Sequence, residues 1–270
     1  MRNSIFEQVN QQLNSEVHWM PMSQAGTSNW LYKGGYRTRK ARHCSQVLIL
    51  RINAHDQLAF GVSRHREAQV LQQIAGQPWA MQVVCNEPDS GWCVMRHHGL
   101  SLGPEAVSGE IASQLLQAIS ELQQLPLPED DETMRIASID YPDLFQRYQD
   151  CLNRESEPVV WLERLNRLVQ IFGNLPDVGR CYTHHDLHPG NCCWQDGNLV
   201  LIDWEYAGIG NPWFDAASLH RYCGIEPTKI HQLPAFSQLS PPMFKLALQQ
   251  AEDAMSLLEK LWYKVRAGTA

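Results

Sequence analysis

The sequence has no run of about 18 consecutive apolar residues, the length a helix needs to cross a bilayer, so no membrane span is expected. Its first residues, Met1 to Asn14, are polar and lack the apolar core of a secretory signal. Basic charge is also in short supply: Lys and Arg number 22 against 29 Asp and Glu, for a net charge of −7. A nucleic-acid binder needs a basic surface to displace counterions, so this balance argues against that class. Eight cysteines are present, but none forms a C-x-x-C pair, and several sit in apolar segments where a thiol packs as a small hydrophobe. The expected compartment is a reducing cytoplasm without disulfides. There is no internal repeat, no low-complexity tract and no G-x-G-x-x-G loop. What remains, at 270 residues and 44% hydrophobic content, is a globular chain long enough for one large domain or two lobes.

The order of elements is uneven. Val47-Leu48-Ile49-Leu50-Arg51-Ile52 is apolar on both faces and predicts a buried strand. Residues 64–75 place Ala68, Leu71, Ile74 and Ala75 on one helical stripe. Two more strands are expected at Gln82–Cys85 and Gly91–Met95, across a Pro88-Asp89-Ser90-Gly91 turn. Residues 96–104 have the polar and glycine content of a connector. Beyond it the pattern is helical over 104–125, 142–152, 158–172 and 240–265, with a Pro- and acid-rich loop over 126–140. Two short strands joined by Gln195-Asp196-Gly197-Asn198 interrupt these helices, the Asp-Gly being a hairpin signal. Periodicity alone gives an α+β fold, with two lobes as one option.

Those strands carry the chemistry. His184-His185-Asp186-Leu187-His188-Pro189-Gly190-Asn191 has the spacing H-x-D-x-x-x-x-N, and Leu201-Ile202-Asp203-Trp204-Glu205 follows. An Asp, an Asn and a second Asp in one compact unit are what moving a phosphoryl group to a hydroxyl requires. Asp186 would accept the hydroxyl proton and aim its oxygen, while Asn191 and Asp203 offer the hard oxygens that suit Mg²⁺. A zinc site is the rival, since His184, His185 and His188 cluster and Cys192 and Cys193 follow. None of the spacings is a zinc spacing, Pro189-Gly190 breaks any helix that could present two of the histidines, and adjacent cysteines on a strand point oppositely.

Together the two motifs resemble the aminoglycoside-phosphotransferase and choline-kinase superfamily, protein-kinase-like enzymes that act on small molecules. Within it, Leu201-Ile202-Asp203-Trp204-Glu205-Tyr206-Ala207-Gly208 looks like the bacterial thiamine kinases and the choline/ethanolamine kinases. The resemblance implies a protein-kinase-like bilobal fold: a β-rich nucleotide-binding lobe over 1–96, a linker over 97–104, and a mainly helical catalytic lobe over 105–270. It implies ATP and Mg²⁺ as cofactors. Gly26, Thr27, Ser28 and Asn29 would form the nucleotide turn, whose N–H groups and hydroxyls can donate to phosphate. Where the family expects a phosphate-binding Lys stands Arg51, with Glu67 as its expected partner and Lys33 and Lys40 as alternative cations. Met95, Arg96 and His97 would form the hinge beside adenine, and His184 would brace the catalytic loop.

Trp204, Glu205 and Asp215 would serve the acceptor pocket, Asp215 first as structural support. Aromatic residues at 204, 213, 214, 222, 262 and 263 could wall it, and with nearby carboxylates would suit a cation. The expected partner is a small cationic alcohol: thiamine first, choline or ethanolamine next. An aminoglycoside phosphotransferase and a nucleotide-binding pseudokinase are the alternatives. The chain is expected to act as a monomer or homodimer.

Overall fold

The computed structural model describes residues 2–22, 29–37, 45–54, 60–155 and 157–267. The first unit is a sheet with a helix on each side. An N-terminal helix α1 (Arg2–Gln12) is followed by β1 (Met20–Pro21), β2 (Trp30–Arg37), β3 (Ser45–Ile52), α2 (Arg64–Gln73), β4 (Val83–Glu87) and β5 (Trp92–Arg96). The strands form an antiparallel sheet in the order β1-β2-β3-β5-β4, with β3 at its centre. Alternation along β3 explains why its sequence is apolar on both faces. Leu48, Leu50 and Ile52 join Trp92, Val94 and Val9 in one core, whereas Arg51, one step out of phase, meets α2. Helix α1 was not expected. Its sequence is polar overall, and only Ile5, Phe6, Val9 and the following Leu13 mark the face packed on the sheet.

The second unit is mainly helical: α3 (Gly109–Gln123), α4 (Asp131–Ala137), α5 (Tyr141–Leu152), α6 (Pro158–Asn174), α7 (Trp213–Arg221), α8 (Pro227–Ile230) and α9 (Pro241–Ala267). Two small ribbons interrupt it, β6 (Cys181–Thr183) with β9 (Gly208–Gly210), and β7 (Cys192–Gln195) with β8 (Asn198–Leu201). The acid-rich segment expected to be a loop over 126–140 contains α4, whose N-cap Asp130 accepts from the Thr133 N–H. Acidic residues in a first turn favour a helix through the macrodipole, a signal that the Pro-rich flanks obscure.

The connector is not a free tether. Leu102 N–H donates to the Cys192 carbonyl at 2.8 Å, and Ser101 bridges Cys193, so it pairs with the β7–β8 hairpin. On the other side, Leu201 N–H donates to the Trp79 carbonyl at 2.8 Å. The largest core accordingly runs from Val70, Leu71 and Ile74 of α2 into Leu115, Leu201, Trp204 and Trp213. Gly208 lets β9 approach α2: a Cβ there would sit 2.7 Å from Arg66 Cδ and 2.9 Å from the Ala137 carbonyl. The seven described cysteines are free thiols, and among the described residues no helix is long and apolar enough to cross a membrane.

Candidate active site

Helix α2 begins at Ser63, whose hydroxyl accepts from Arg66 N–H, and it turns Arg64 and Glu67 toward the sheet. Arg51 and Glu67 are both almost fully buried and meet as a bidentate pair, Nη1–Oε1 2.6 Å and Nη2–Oε2 2.7 Å. Burial alone would push the Glu67 carboxyl up, but Arg51 and then Arg64 hold it below the usual carboxylate range. Arg64 Nη1 joins Glu67 Oε2 (3.1 Å) to Glu205 Oε2 (3.0 Å). Asn29 completes the network, donating to Glu205 Oε2 at 2.7 Å and accepting from Arg64 Nη2 and Ala54 N–H. Five side chains from four stretches of sequence thus form one polar chain between the two units.

The loop that carries Asp186 leaves β6 with His185 in a left-handed conformation, φ 64°. Asp215 holds it there: the carboxylate, 1% exposed, accepts from His184 N–H and His185 N–H, both at 2.8 Å. Burial pushes the Asp215 carboxyl up to about 6, and the two N–H groups draw it back. His184 Nε2–H donates to the Ile202 carbonyl (3.0 Å) and its ring lies on Trp204, tying the loop to the segment before Asp203. His185 Nε2 meets the Tyr141 hydroxyl at 2.8 Å, and that hydroxyl accepts from Asn211 N–H. Burial, then the charge of Arg66, lowers the His185 ring to about 3.

The His185 shift has a measurable consequence. Its folded value lies below the ordinary 6.5, so the stability it contributes is present above pH 6.5 and is lost as pH falls toward 3. Relative to His185→Asn, which also tolerates the left-handed backbone, wild type is expected to lose about 1.4 kcal/mol per pH unit below 6.5. Urea denaturation at pH 7.5 and pH 5 measures this, and a difference that does not change with pH would contradict it.

Asp186 follows with 38% of its side chain accessible. Asn191 Nδ2 donates to the Asp186 carbonyl (2.8 Å) and to Oδ2 (3.0 Å), and His188 Nε2 lies 4.0 Å from the same oxygen. Ile202 N–H donates to the Asn191 carbonyl at 3.0 Å, which brings Asn191 beside Asp203. Asp203 adopts φ 63° and is pushed up to about 8 by burial first, then by Glu205, with Asp186 adding and Arg51 opposing. Burial likewise raises Asp186, opposed by His188 and Asn191, with Glu205 and Glu259 raising it further. Carboxylates that raise one another's affinity for protons would be relieved by a divalent cation. Asn191 spends only its Nδ2 on these bonds, so its Oδ1 and the Asp203 carboxylate form a hard-oxygen pair that fits Mg²⁺.

The zinc alternative finds no such fit. His184 and His185 spend Nε2 on Ile202 and Tyr141, His188 Nδ1 accepts from Gly190 N–H, and burial raises the Cys192 and Cys193 thiols. Among the described residues no group of three His, Cys, Asp or Glu is placed to hold a metal.

Other positions differ from expectation. Gly26, Thr27 and Ser28 lie outside the described residues, as does Lys40. Asn29 spends its side chain on Glu205, Arg64 and Ala54, so it braces instead of presenting a donor to phosphate. Glu205 is 4% exposed and faces that same network. Trp204 is fully buried, with Nε1–H donating to the Leu201 carbonyl, and Trp213 and Phe214 are also core residues. Neither Trp204 nor Asp215 is open to an acceptor: each is spent on holding the loop. Arg96 and His97 N–H donate to the Gln82 and Val47 carbonyls, which extends the sheet past Met95 and leaves those two donors unavailable to adenine.

A different set faces Asp186 from the closing helix. Glu259 of α9 accepts from the Tyr222 hydroxyl, lies 3.5 Å from Arg221 Nη2, and is near enough to raise Asp186. Half-buried Trp262 donates to Tyr206 at 3.0 Å. Asn53, Arg64, Tyr141, His185 and Tyr206 are among the participants to which sequence reasoning gave no role. An Arg in the first turn of a helix opposes the macrodipole, and that cost was the available sign that Arg64 serves a distant carboxylate.

A model of the phosphotransferase enzyme family matches residues 34–253. The chain belongs to this family. It is 32% identical over 81 residues to protein LicA of Haemophilus influenzae, a match covering 28% of this chain and 24% of that protein. The chain thus aligns with about a quarter of that curated relative's length. Among solved structures, Plasmodium vivax ethanolamine kinase superposes with TM-score 0.68 at 12% identity, over 94% of this chain and 82% of that one. Choline kinase LicA of Streptococcus pneumoniae does so at 0.64 and 17%, over 96% and 91%. The fold is therefore the protein-kinase-like bilobal fold of the small-molecule kinases.

Proposed function

We propose that this phosphotransferase moves the γ-phosphoryl group of ATP to the hydroxyl of a small cationic alcohol. The observation that carries the reading is the meeting of Asp186, Asn191 and Asp203, with 38% of the Asp186 side chain accessible. Asp186 accepts the proton of the acceptor hydroxyl and orients its oxygen, and Asn191 holds the Asp186 carboxylate in place. Asn191 Oδ1 and Asp203 would hold Mg²⁺, which when bound supplies neutralisation of phosphate charge. Arg51, steadied by Glu67 and Asn53, retains two N–H groups not used in those bonds to meet a phosphate.

Two observations favour a single cation over a polycation. The aromatic residues Tyr206, Tyr222 and Trp262 stand with Glu259 on the Asp186 side, a pairing suited to one quaternary or aromatic cation. The remaining acids of α9 offer little spare charge: Glu252 is paired with His220 at 2.6 Å, and Asp253 is exposed. Choline, ethanolamine and thiamine each join one cationic centre to one primary hydroxyl. The similar solved structures named as an ethanolamine kinase and a choline kinase favour choline and ethanolamine, and the Asp203–Gly208 signature favours thiamine.

The test is ³¹P NMR of mixtures of purified protein, Mg²⁺ and ATP with thiamine, choline, ethanolamine or kanamycin. A new phosphomonoester from one of the first three is expected. Product from kanamycin alone would replace this reading with aminoglycoside phosphorylation. No product from any of them, with nucleotide still bound, would favour the pseudokinase.

A further inference from the structure

A cavity of about 460 Å³ lies away from Asp186, behind α2, and is lined by residues of α2, α4 and α5 and the segments before them. Its chemistry is dominated by three guanidinium groups, Arg66, Arg135 and Arg147, with the hydroxyls of Ser63 and Ser138 beside them. Among the described residues no carboxylate pairs with any of the three. Asp143 stands at the rim, and Asp140 is spent capping α5 through Asp143 N–H.

Arg66 is unusual within this set. It is about nine-tenths buried, yet it bonds only main-chain carbonyls, Nε to Ala207 at 3.0 Å and Nη2 to Gly61 at 3.0 Å. Its Nη1 is used by neither bond. Burial first, and then the nearby charge of Arg147, hold its guanidinium below the usual value, opposed by Tyr141 and Glu67. A buried cation facing other cations across a cavity is a costly arrangement that an anion would relieve.

We infer that this cavity is an anion-binding site for a phosphate ester, with the phosphate oxygens on Arg66, Arg135 and Arg147. Three planar forks around one space suit the several acceptors of a phosphate better than a single carboxylate. The floor supplied by Ile139 and Leu144 would take the apolar part of such a ligand. On the reading proposed above, the cavity is connected to the phosphoryl-transfer site by short links. Arg66 is adjacent to Glu67, the partner of Arg51, and its bond to Ala207 reaches the segment that follows Asp203 and Glu205. An occupant that draws the Arg66 fork outward would therefore shift either α2 or β9, and with them nucleotide affinity.

Inorganic phosphate is the probe, titrated calorimetrically into magnesium-free protein with and without a saturating nonhydrolysable ATP analogue. Wild type is expected to bind one phosphate in both conditions. The double variant Arg135→Ala/Arg147→Ala alters two exposed side chains, Arg147 giving up only its place over the Phe60 ring, so its thermal stability is expected to stay close to wild type while phosphate affinity falls about a hundredfold or more, equivalent to losing two charge-assisted contacts. Absence of phosphate binding to wild type, displacement of phosphate by the nucleotide analogue, or equal affinity in the double variant would each overturn the assignment. The connection is tested in the same titrations: a change of about threefold or more in analogue affinity with phosphate present supports it, and an unchanged affinity overturns it.

Discussion

Replacing Asp186 by Asn is expected to lower kcat by about 10²–10⁴-fold, the range for a positioned general base. Nucleotide affinity should change little, because the Asp186 carboxylate is held from within its own loop, by Asn191. The substitution preserves shape and keeps the Asn191 bond to the main-chain carbonyl, so loss of turnover would report the carboxylate itself. Burial and the neighbouring acids raise the Asp186 carboxyl, which makes it a stronger base than a free aspartate. Because the transition state for phosphoryl transfer is loose, much of the effect comes from aiming the acceptor oxygen. Initial rates at saturating Mg²⁺–ATP and a fluorescent-nucleotide titration separate the two quantities. Near-normal kcat, or equal losses of kcat and nucleotide affinity, would contradict the assignment.

The second large effect concerns stability. Arg51→Met strands Glu67, 1% exposed, without its bidentate partner. Breaking a buried ion pair from one side costs about 3–5 kcal/mol, and the bond that Arg64 retains to Glu67 places the expected loss near the lower end. Removing both charges in Arg51→Met/Glu67→Leu should recover part of that loss, since no carboxylate is left stranded and Arg64 keeps Glu205 and Asn29 as partners. The single-variant loss should also grow with pH. Without Arg51 the burial of Glu67 raises its folded value above the unfolded one, so stability present below the unfolded value is lost as pH rises. Urea denaturation of the single and double variants at pH 5 and pH 8 tests both points. A single variant within about 1 kcal/mol of wild type would mean the pair is not desolvated as described.

What could be read in advance depended on whether a signal was local. The two motifs around Asp186 and Asp203 were legible because turn chemistry and short apolar strands place their polar residues within one hairpin-sized unit. The Arg51–Glu67 contact was foreshadowed by strand and helix order, and burial of a lone cation on an apolar strand demanded a partner. By contrast, Asn29, Arg64 and Glu205 come from distant stretches of chain, and no periodicity links them. Trp204 and Asp215 were placed near the acceptor by their neighbourhood in sequence. Burial assigns them elsewhere, because Asp215 must satisfy two main-chain N–H groups and Trp204 supports His184. Helix α1 escaped because four apolar positions in a polar segment give a weak stripe until a sheet covers it.

The most direct test of the central claim is the binding of Mn²⁺, standing in for Mg²⁺, followed by electron paramagnetic resonance with a nonhydrolysable ATP analogue. Wild type is expected to immobilise one Mn²⁺ per bound nucleotide. In Asp203→Asn, which tolerates the φ of 63°, Mn²⁺ affinity should fall by about tenfold or more while metal-free nucleotide still binds. Nucleotide bound to wild type without an immobilised ion, or an Asp203→Asn variant that holds Mn²⁺ as wild type does, would contradict a phosphoryl-transfer centre built on Asp186, Asn191 and Asp203.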